Sequence, residues 1–233
     1  YQINDRLSLQ LNIPYIYRAY QRLVGGVNEK NSLSGLGDVS LHINYVAVRV
    51  ERDQWGFSWS VTGGVKFPTG SPSFLDEVAD PSFPGSDIGG HDLALGSGSY
   101  DGDVGTGFNA HWNRLFFSGD YDYAIRSTGH VGYRYANEMS WSAGPGYRLL
   151  QNSAYTLSLQ FLVTGEYKGL DTLNGVPDSD TGITQVNVGP KLTLALAQGI
   201  VASLGVEVPV IQHDTGLQAV SDYRLKAGVM MRF

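Results

Sequence analysis

The sequence of 233 residues has no cysteine, few charged residues and no long apolar run. Without cysteine, the chain has neither a disulfide framework nor thiolate chemistry. Charged residues make up 16% of the chain, whereas ordinary soluble domains have roughly 25%. The longest apolar stretches, such as "VASLGVEVPVI" at 201–211, are interrupted by Gly, Glu and Pro. A helix spanning a membrane, which needs about 18 or more apolar residues, is therefore not expected.

The sequence also lacks a helical period of apolar residues, and it shows alternation instead. From Tyr223 to Phe233 every second residue is apolar, which predicts a β-strand with one apolar and one polar face. Ten segments show this pattern: 6–13, 38–45, 55–67, 103–112, 117–125, 137–149, 154–167, 184–196, 201–210 and 223–233. We therefore expect about ten strands.

The connections between these segments alternate in length. Tight turns, "ERDQ", "NR", "QNS" and "AQG", follow strands two, four, six and eight, and longer loops follow the others. This asymmetry is typical of an outer-membrane barrel with short periplasmic turns and long extracellular loops. We therefore predict an all-β fold, a transmembrane antiparallel up-and-down β-barrel formed by residues 1–233 as a single domain. A soluble sandwich or lipocalin-like barrel is the alternative, and it would place its apolar face inside.

Aromatic residues on the apolar faces favour the membrane barrel, because they lie near the segment ends, as membrane interfaces select. These residues are Trp55, Trp112, Tyr147 and Tyr155 near the short turns, and Phe67, Tyr133, Tyr135 and Tyr167 near the loops.

The polar faces carry charges of both signs, which we expect to line a lumen. The candidate lumen residues are Lys66, Asp120, Asp122, Arg126, Glu138, Arg148, Glu166, Lys191, Glu207, Arg224 and Lys226. Opposite charges on neighbouring strands can pair. They form either a selectivity filter or a structural filling of a narrow barrel.

The segment 68–103 is the least strand-like part of the chain. It contains seven acidic residues and no Lys or Arg: Asp76, Glu77, Asp80, Asp87, Asp92, Asp101 and Asp103. A loop of this length is usually functional or disordered. It is interpreted as a long acidic extracellular loop, which either is solvated or forms a lumen constriction, a cation site or a partner surface.

Other chemistry has little support in the sequence. The five histidines lie in different segments, without a pair at metal-ligand spacing. The stretch "GSGSYDG" follows no strand-to-helix crossover, and no nucleophile elbow is present. We therefore expect no enzyme activity, no cofactor, no metal and no nucleic-acid partner.

Four stretches resemble the outer-membrane β-barrels grouped as the "transporter" or phenol-degradation meta-pathway family. They are "LNIPYIYR" (11–18), "GLGDVSLHINY" (35–45), "GGVKFPTG" (63–70) and "LGVEVPVIQHDTGLQAVSDYRLKAGVMMRF" (204–233). Barrels of this group are often expected to have twelve strands. Either a hairpin precedes Tyr1 in a longer precursor or this barrel is smaller. The start at Tyr1 is typical of a processed or trimmed chain.

The resemblance implies a location in the outer membrane of a Gram-negative bacterium, in contact with lipid and lipopolysaccharide. It implies a passive channel for small, hydrophobic or aromatic solutes. The alternative is a plugged barrel that anchors or docks a partner protein. The terminal strand also resembles the signal read by the barrel-assembly machinery, and its residues are Tyr223, Leu225, Val229, Met231 and Phe233.

Overall fold

The computed structural model describes residues 1–83, 89–215 and 222–231. Its fifteen strands are β1 (Leu7–Asn12), β2 (Tyr15–Val24), β3 (Val27–Leu36), β4 (Val39–Glu51), β5 (Trp55–Phe67), β6 (Asp101–Trp112), β7 (Leu115–Ile125), β8 (Tyr133–Arg134), β9 (Glu138–Gln151), β10 (Tyr155–Lys168), β11 (Thr172–Leu173), β12 (Val176–Pro177), β13 (Ile183–Leu196), β14 (Ile200–Asp214) and β15 (Arg224–Met231). Two short helices, α1 (Leu75–Ala79) and α2 (Gly90–Leu93), and a 3₁₀ turn (His130–Gly132) complete it. No helix among these residues is long and apolar enough to span a membrane.

One large antiparallel sheet dominates the described part of the chain. Its ten strands follow the order β1-β4-β5-β6-β7-β9-β10-β13-β14-β15. The all-β prediction is therefore confirmed, and the sheet strands coincide with the ten alternating segments. The turns at one end span residues 52–54, 113–114, 152–154 and 197–199, so the connections have the predicted asymmetry.

Hydrogen bonds between non-adjacent strands show which face of this sheet is concave. The Gln160 side chain on β10 donates to Ser118 Oγ on β7, across β9, at 2.7 Å. Thr164 Oγ1 on β10 donates to Glu207 on β14, across β13, at 3.1 Å. Side chains can make such contacts only where the sheet curls towards itself. The polar face is therefore the inner, concave face.

The apolar side chains lie on the outer, convex face. Val104, Phe161 and Leu204 are 50%, 51% and 51% exposed, whereas inward-facing Asn187 and Glu207 are only 1% and 4% exposed. This polarity is opposite to that of a soluble sandwich or lipocalin-like barrel, whose apolar side chains are buried. The outer surface therefore fits a non-aqueous environment.

The sheet ends at β1 and β15, which face each other without pairing in the described residues. A cavity of about 660 Å³ lies between these edges and is lined by residues 7–11, Met230 and Met231. Closure into a barrel, and with it the number of barrel strands, stays a prediction.

A hairpin occupies the first of the predicted long loops. Strands β2 and β3 pair from Tyr15 and Leu36 to Val24 and Val27. The turn consists of Gly25 and Gly26, with φ of 56° and 81°, a conformation that two-residue hairpins require and glycine accepts.

The segment predicted as the long acidic loop is folded, and it is shorter than predicted because β6 already begins at Asp101. The apolar side chain of Leu75 is fully buried and packs in a small core with Ala94 and Tyr133. We call residues 15–36, 68–83, 89–100, 126–137 and 169–182 the cap. The interpretation of 68–103 as a solvated loop is therefore wrong for most of its described residues; Asp87 lies outside them.

Arg22 joins the two largest pieces of the cap. Its side chain, 3% exposed, bonds Glu29 Oε2 through Nε at 2.8 Å and Glu77 Oε2 through Nη1 at 2.7 Å. Hydrogen bonds that Arg22 donates to Glu77 raise the pKa of this guanidinium further above its ordinary value; burial opposes this rise and Glu29 adds to it. The charge is permanent, and it is neutralised on both sides.

Asp171 attaches the cap to the sheet. Its carboxylate is completely buried and accepts hydrogen bonds from Tyr133 Oη at 2.7 Å, Ala136 N at 2.7 Å and Lys168 Nζ at 3.0 Å. Burial and the adjacent Asp171 raise the pKa of the Tyr133 hydroxyl, so it stays a donor. The expectation that Tyr133 and Tyr135 belong to an outer aromatic belt is therefore wrong. Tyr135 also turns inward and donates to the His91 carbonyl at 2.9 Å.

Leu75→Ala tests whether the cap core holds the cap together. Deleting a fully buried leucine typically costs about 3 kcal/mol, so we expect limited proteolysis to cleave between residues 75 and 94 much faster. Heat-modifiable gel migration of the sheet should stay unchanged. Leu36→Ala, at a position 55% exposed, is the matched control. Equal cleavage of the two variants would contradict a core that stabilises the cap.

Candidate functional site

The candidate site is the concave face of the sheet, which encloses a cavity of about 460 Å³. It lies between β7 and β15, and its lining includes Gly189, Gly205 and Gly228 as well as charged side chains. Glycines on the inner face leave space that larger side chains would fill. The inner face therefore has room for water or a small solute.

Two ion pairs cross the middle of this cavity. Arg224 Nη1 lies 3.3 Å from Glu166 Oε2, and Lys226 Nζ lies 2.9 Å from Glu207 Oε2. Arg224 also donates to the Gln185 amide oxygen. These four charges compensate one another, as the sequence suggested.

Four other predicted lumen charges, Asp120, Asp122, Arg148 and Lys191, have no ion-pair partner within the described residues. Asp120 accepts a hydrogen bond from Ser142 Oγ at 2.8 Å, whereas Asp122 and Lys191 form neither a hydrogen bond nor an ion pair there. Asp120 and Lys191 both line the cavity. The cavity therefore has one uncompensated acid and one uncompensated base.

A third group of charges lies where the cap meets the sheet, and we call it the mouth network. Lys66 Nζ lies 2.8 Å from Asp38 Oδ2 and 2.7 Å from Asp101 Oδ2. The cap reaches this network through Ser97, whose backbone N–H donates to Asp38 at 3.0 Å, and Gly70, whose N–H donates at 2.9 Å. Burial opposes the charge of Asp38, yet Lys66 and these donors hold the pKa of its carboxyl below the ordinary value.

The mouth network continues on the other side of Asp101. Arg126 Nη1 lies 3.2 Å from Asp101 Oδ2, and Arg126 Nη2 lies 3.3 Å from Glu138 Oε2. Asp101 also accepts a hydrogen bond from Ser127 N at 2.9 Å. Lys66, Arg126 and Glu138 are thus brought together, but at the rim rather than in the middle of the lumen.

Arg148 lies at the opposite end of the sheet. It is near the short turns, where Nη1 donates to the Asn113 carbonyl at 3.1 Å. It is therefore separate from the cavity and from the mouth network.

The predicted assembly residues have the expected alternation where the structure describes them. Leu225, Val229 and Met231 lie on β15 and are exposed, and Tyr223 precedes this strand. Phe233 lies outside the described residues, so its role stays a prediction.

Sequence reasoning missed several polar residues of the inner face. Gln160, Gln185 and Asn187 are nearly buried, and His42 Nε2 lies 3.1 Å from Asp103 Oδ1 across β5. The alternation places all five on polar faces. Nothing in the sequence, however, distinguishes them from ordinary solvated residues. Within the described residues no group of three or more His, Asp or Glu is arranged to hold a metal ion.

A solved structure has a similar fold. An outer membrane channel from Pseudomonas putida F1 matches with a TM-score of 0.61 and 13% identity, covering 98% of this chain and 78% of that one. This likeness concerns the fold. No curated protein matches the chain.

A family model gives the assignment. The model described as "Putative MetA-pathway of phenol degradation" matches residues 2–215, which is nearly the whole chain and agrees with the resemblance of its four sequence stretches. The chain therefore belongs to the family of the putative MetA-pathway of phenol degradation.

Proposed function

We propose that the chain forms a transmembrane β-barrel in the outer membrane of a Gram-negative bacterium and lets small solutes cross by passive diffusion. The observation that carries this proposal is the polarity of the sheet, apolar and exposed outside, charged and hollow inside. The fold likeness to an outer membrane channel supports the same conclusion.

The aromatic residues support a membrane-spanning orientation. Trp55, 47% exposed, and Trp112, 59% exposed, are direct partners at the short-turn end, whereas Phe67 and Tyr167 lie at the loop end. Trp55 and Phe67 are separated by 12 residues of one strand, about 40 Å along it. A tilt of about 40° reduces this to roughly 30 Å, which fits the hydrocarbon thickness of a bilayer.

In this proposal the cap faces the cell exterior and the short turns face the periplasm. The barrel closes along β1 and β15, and the assembly machinery reads the terminal strand. Small solutes, including hydrophobic or aromatic ones with polar groups, pass the mouth network and then enter the cavity. The cavity volume of about 460 Å³ lies within the range of about 300–1,000 Å³ of small-molecule sites.

Single-channel conductance tests this function. The protein is refolded, its folding is checked by heat-modifiable gel migration, and it is then inserted into planar bilayers. Because the lumen is polar and hollow, we expect discrete openings together with solute-driven swelling of proteoliposomes. A folded protein with neither conductance nor solute flux would rule out the channel.

A second function is favoured by the mouth network, whose ion pairs tie the cap to the rim. The barrel would then be plugged, and the folded cap would dock a partner protein. Salt bridges at 2.8 Å and 2.7 Å from a single lysine are compatible with either a gate or a permanent plug.

Deletion of residues 72–98 separates the two functions. The deletion removes Leu75, Ala94 and Ser97 and therefore most of the cap core and the contact of Ser97 with Asp38. If the cap gates a channel, we expect a higher conductance. If the cap docks a partner on a plugged barrel, ion permeability should stay unchanged and partner binding should be lost.

Asp38→Asn tests the gate by charge alone. Because the folded pKa of Asp38 is lowered, its contribution to closing is complete above the ordinary value of about 4 and is lost as pH falls through the folded value. We expect the wild type to open more often below about pH 4. The variant should open more often already at pH 7.

Asp53→Asn is the control for this measurement, because Asp53 is an exposed residue of the β4–β5 turn. It should retain the acid response of the wild type. Identical opening of the wild type and Asp38→Asn at pH 7 would contradict gating by the mouth network.

A further inference from the structure

The cavity on the inner face contains a cation that the protein leaves uncompensated. Lys191 lines it, and its aliphatic stem lies beside Gly205, where an added Cβ would come within 3.7 Å of Lys191 Cβ. The neighbouring cations Arg224 and Lys226 are each paired with a carboxylate. Among the residues that the structure describes, Lys191 has no hydrogen bond or ion pair. Its ammonium is therefore available to an anionic group of a solute.

An uncompensated acid lines the same cavity from another strand. Asp120 on β7 bonds a serine hydroxyl, Ser142 Oγ, at 2.8 Å, and no cation pairs with it in the described chain. Strands β7 and β13 are separated by β9 and β10, which places the two charges three strand spacings apart, about 14 Å across the wall. The strand register puts Asp120 level with Asn187, and Lys191 lies about 13 Å further along β13. The curvature of the wall shortens the direct distance. The cavity therefore carries opposite charges on two sides.

On the wall between these charges, one buried amide oxygen has no hydrogen-bond donor. Asn187 lines the cavity, is 1% exposed, and its Oδ1 has no donor in the described part of the structure. Buried polar groups are nearly always satisfied by protein or by ordered water. Asn187 is paired with Thr164 on β10 and with Pro209 on β14, and Thr164 already donates to Glu207. The Asn187 amide oxygen is enclosed by the wall, so Asn187 adds a polar side chain to the lining and no acceptor that a solute reaches directly.

We propose that the cavity is a binding subsite for a small zwitterionic solute. The carboxylate of the solute meets Lys191, and its ammonium meets Asp120. This inference rests on the proposed channel function and names the class of solute for that channel. A small ion that carries only a positive or only a negative charge would pair with just one of these two residues.

The competing explanation is that the inner charges only fill space. It accounts for Arg224 with Glu166 and for Lys226 with Glu207, because each pair is complete. It does not account for Lys191 and Asp120, which remain separate although both lie on the same cavity. Asp120 is exposed and Lys191 is partly exposed on the cavity, so a solute can reach both charges. The two residues therefore fit a site that solutes visit.

Three linear solutes of equal length test the inference: 6-aminohexanoate, hexanoate and hexylamine. Their flux into proteoliposomes is measured at pH 7 together with ion conductance and with equilibrium binding to the folded protein in detergent. For the wild type we expect 6-aminohexanoate to bind about tenfold more tightly than either of the others, since each charged contact is worth about tenfold. Its flux should saturate at a lower concentration.

Two variants assign the contacts. Lys191→Met should weaken binding of 6-aminohexanoate and hexanoate about tenfold and leave hexylamine unchanged. Asp120→Asn should weaken 6-aminohexanoate and hexylamine and leave hexanoate unchanged. Lys30→Met, on the exposed side of the hairpin, and Asp53→Asn, in a turn, are matched controls that should leave all three solutes unchanged.

The outcomes separate this inference from the channel itself. Ion conductance with equal binding of all three solutes would overturn the subsite and leave the channel. A folded protein without conductance would overturn the channel, and the binding measurement would still decide the subsite. Equal loss of all three solutes in Lys191→Met would show a general structural effect and would overturn the assigned contact.

Discussion

The pairing of backbone amides along the ten-stranded sheet is the interaction on which the rest of the structure depends. Strand β10 pairs without interruption with β13 from Tyr155 to Lys168. Since the outer face is apolar, its backbone N–H and C=O groups find partners only on the neighbouring strands. Pairing within the sheet satisfies them and leaves the side chains to be sorted by face. The same requirement makes the two edges, β1 and β15, the place where closure matters most.

Because side chains alternate between the two faces, the polar residues lie on the inner face. They are too few there to fill the interior. The glycines Gly205 and Gly228 on the inner face leave the cavity hollow, because an added Cβ would have no atom closer than 3.5 Å there. Charges that face one another across this space can form pairs even when their strands are not adjacent, as Arg224 and Glu166 do across two strands. A flat sheet could not bring them together. The curvature of the sheet therefore creates the candidate site.

The sequence was sufficient for those features that depend on a period of two. The alternation of 184–196, for example, predicts both the strand β13 and the inward position of Lys191. Features that depend on long-range packing could not be predicted from the sequence. The sequence places Tyr133 and Tyr135 in the aromatic belt, but both turn into the cap. Acceptors distant in sequence, Asp171 for Tyr133 and the His91 carbonyl for Tyr135, hold them there. The bulge between Val186 and Asn187 shifts the register, and no residue in this part of the sequence indicates a bulge.

In the proposed channel, gating and solute selection belong to different charges. The five charges of the mouth network are all engaged with one another, so the network can hold the cap but has nothing left for a solute; they are Asp38, Lys66, Asp101, Arg126 and Glu138. In the cavity two pairs are complete, while Lys191 and Asp120 have no ion pair in the described residues. A channel that used one set of charges for both purposes would open whenever a solute bound. Because the two sets are separate, the affinity of the cavity and the opening of the mouth can change independently by mutation.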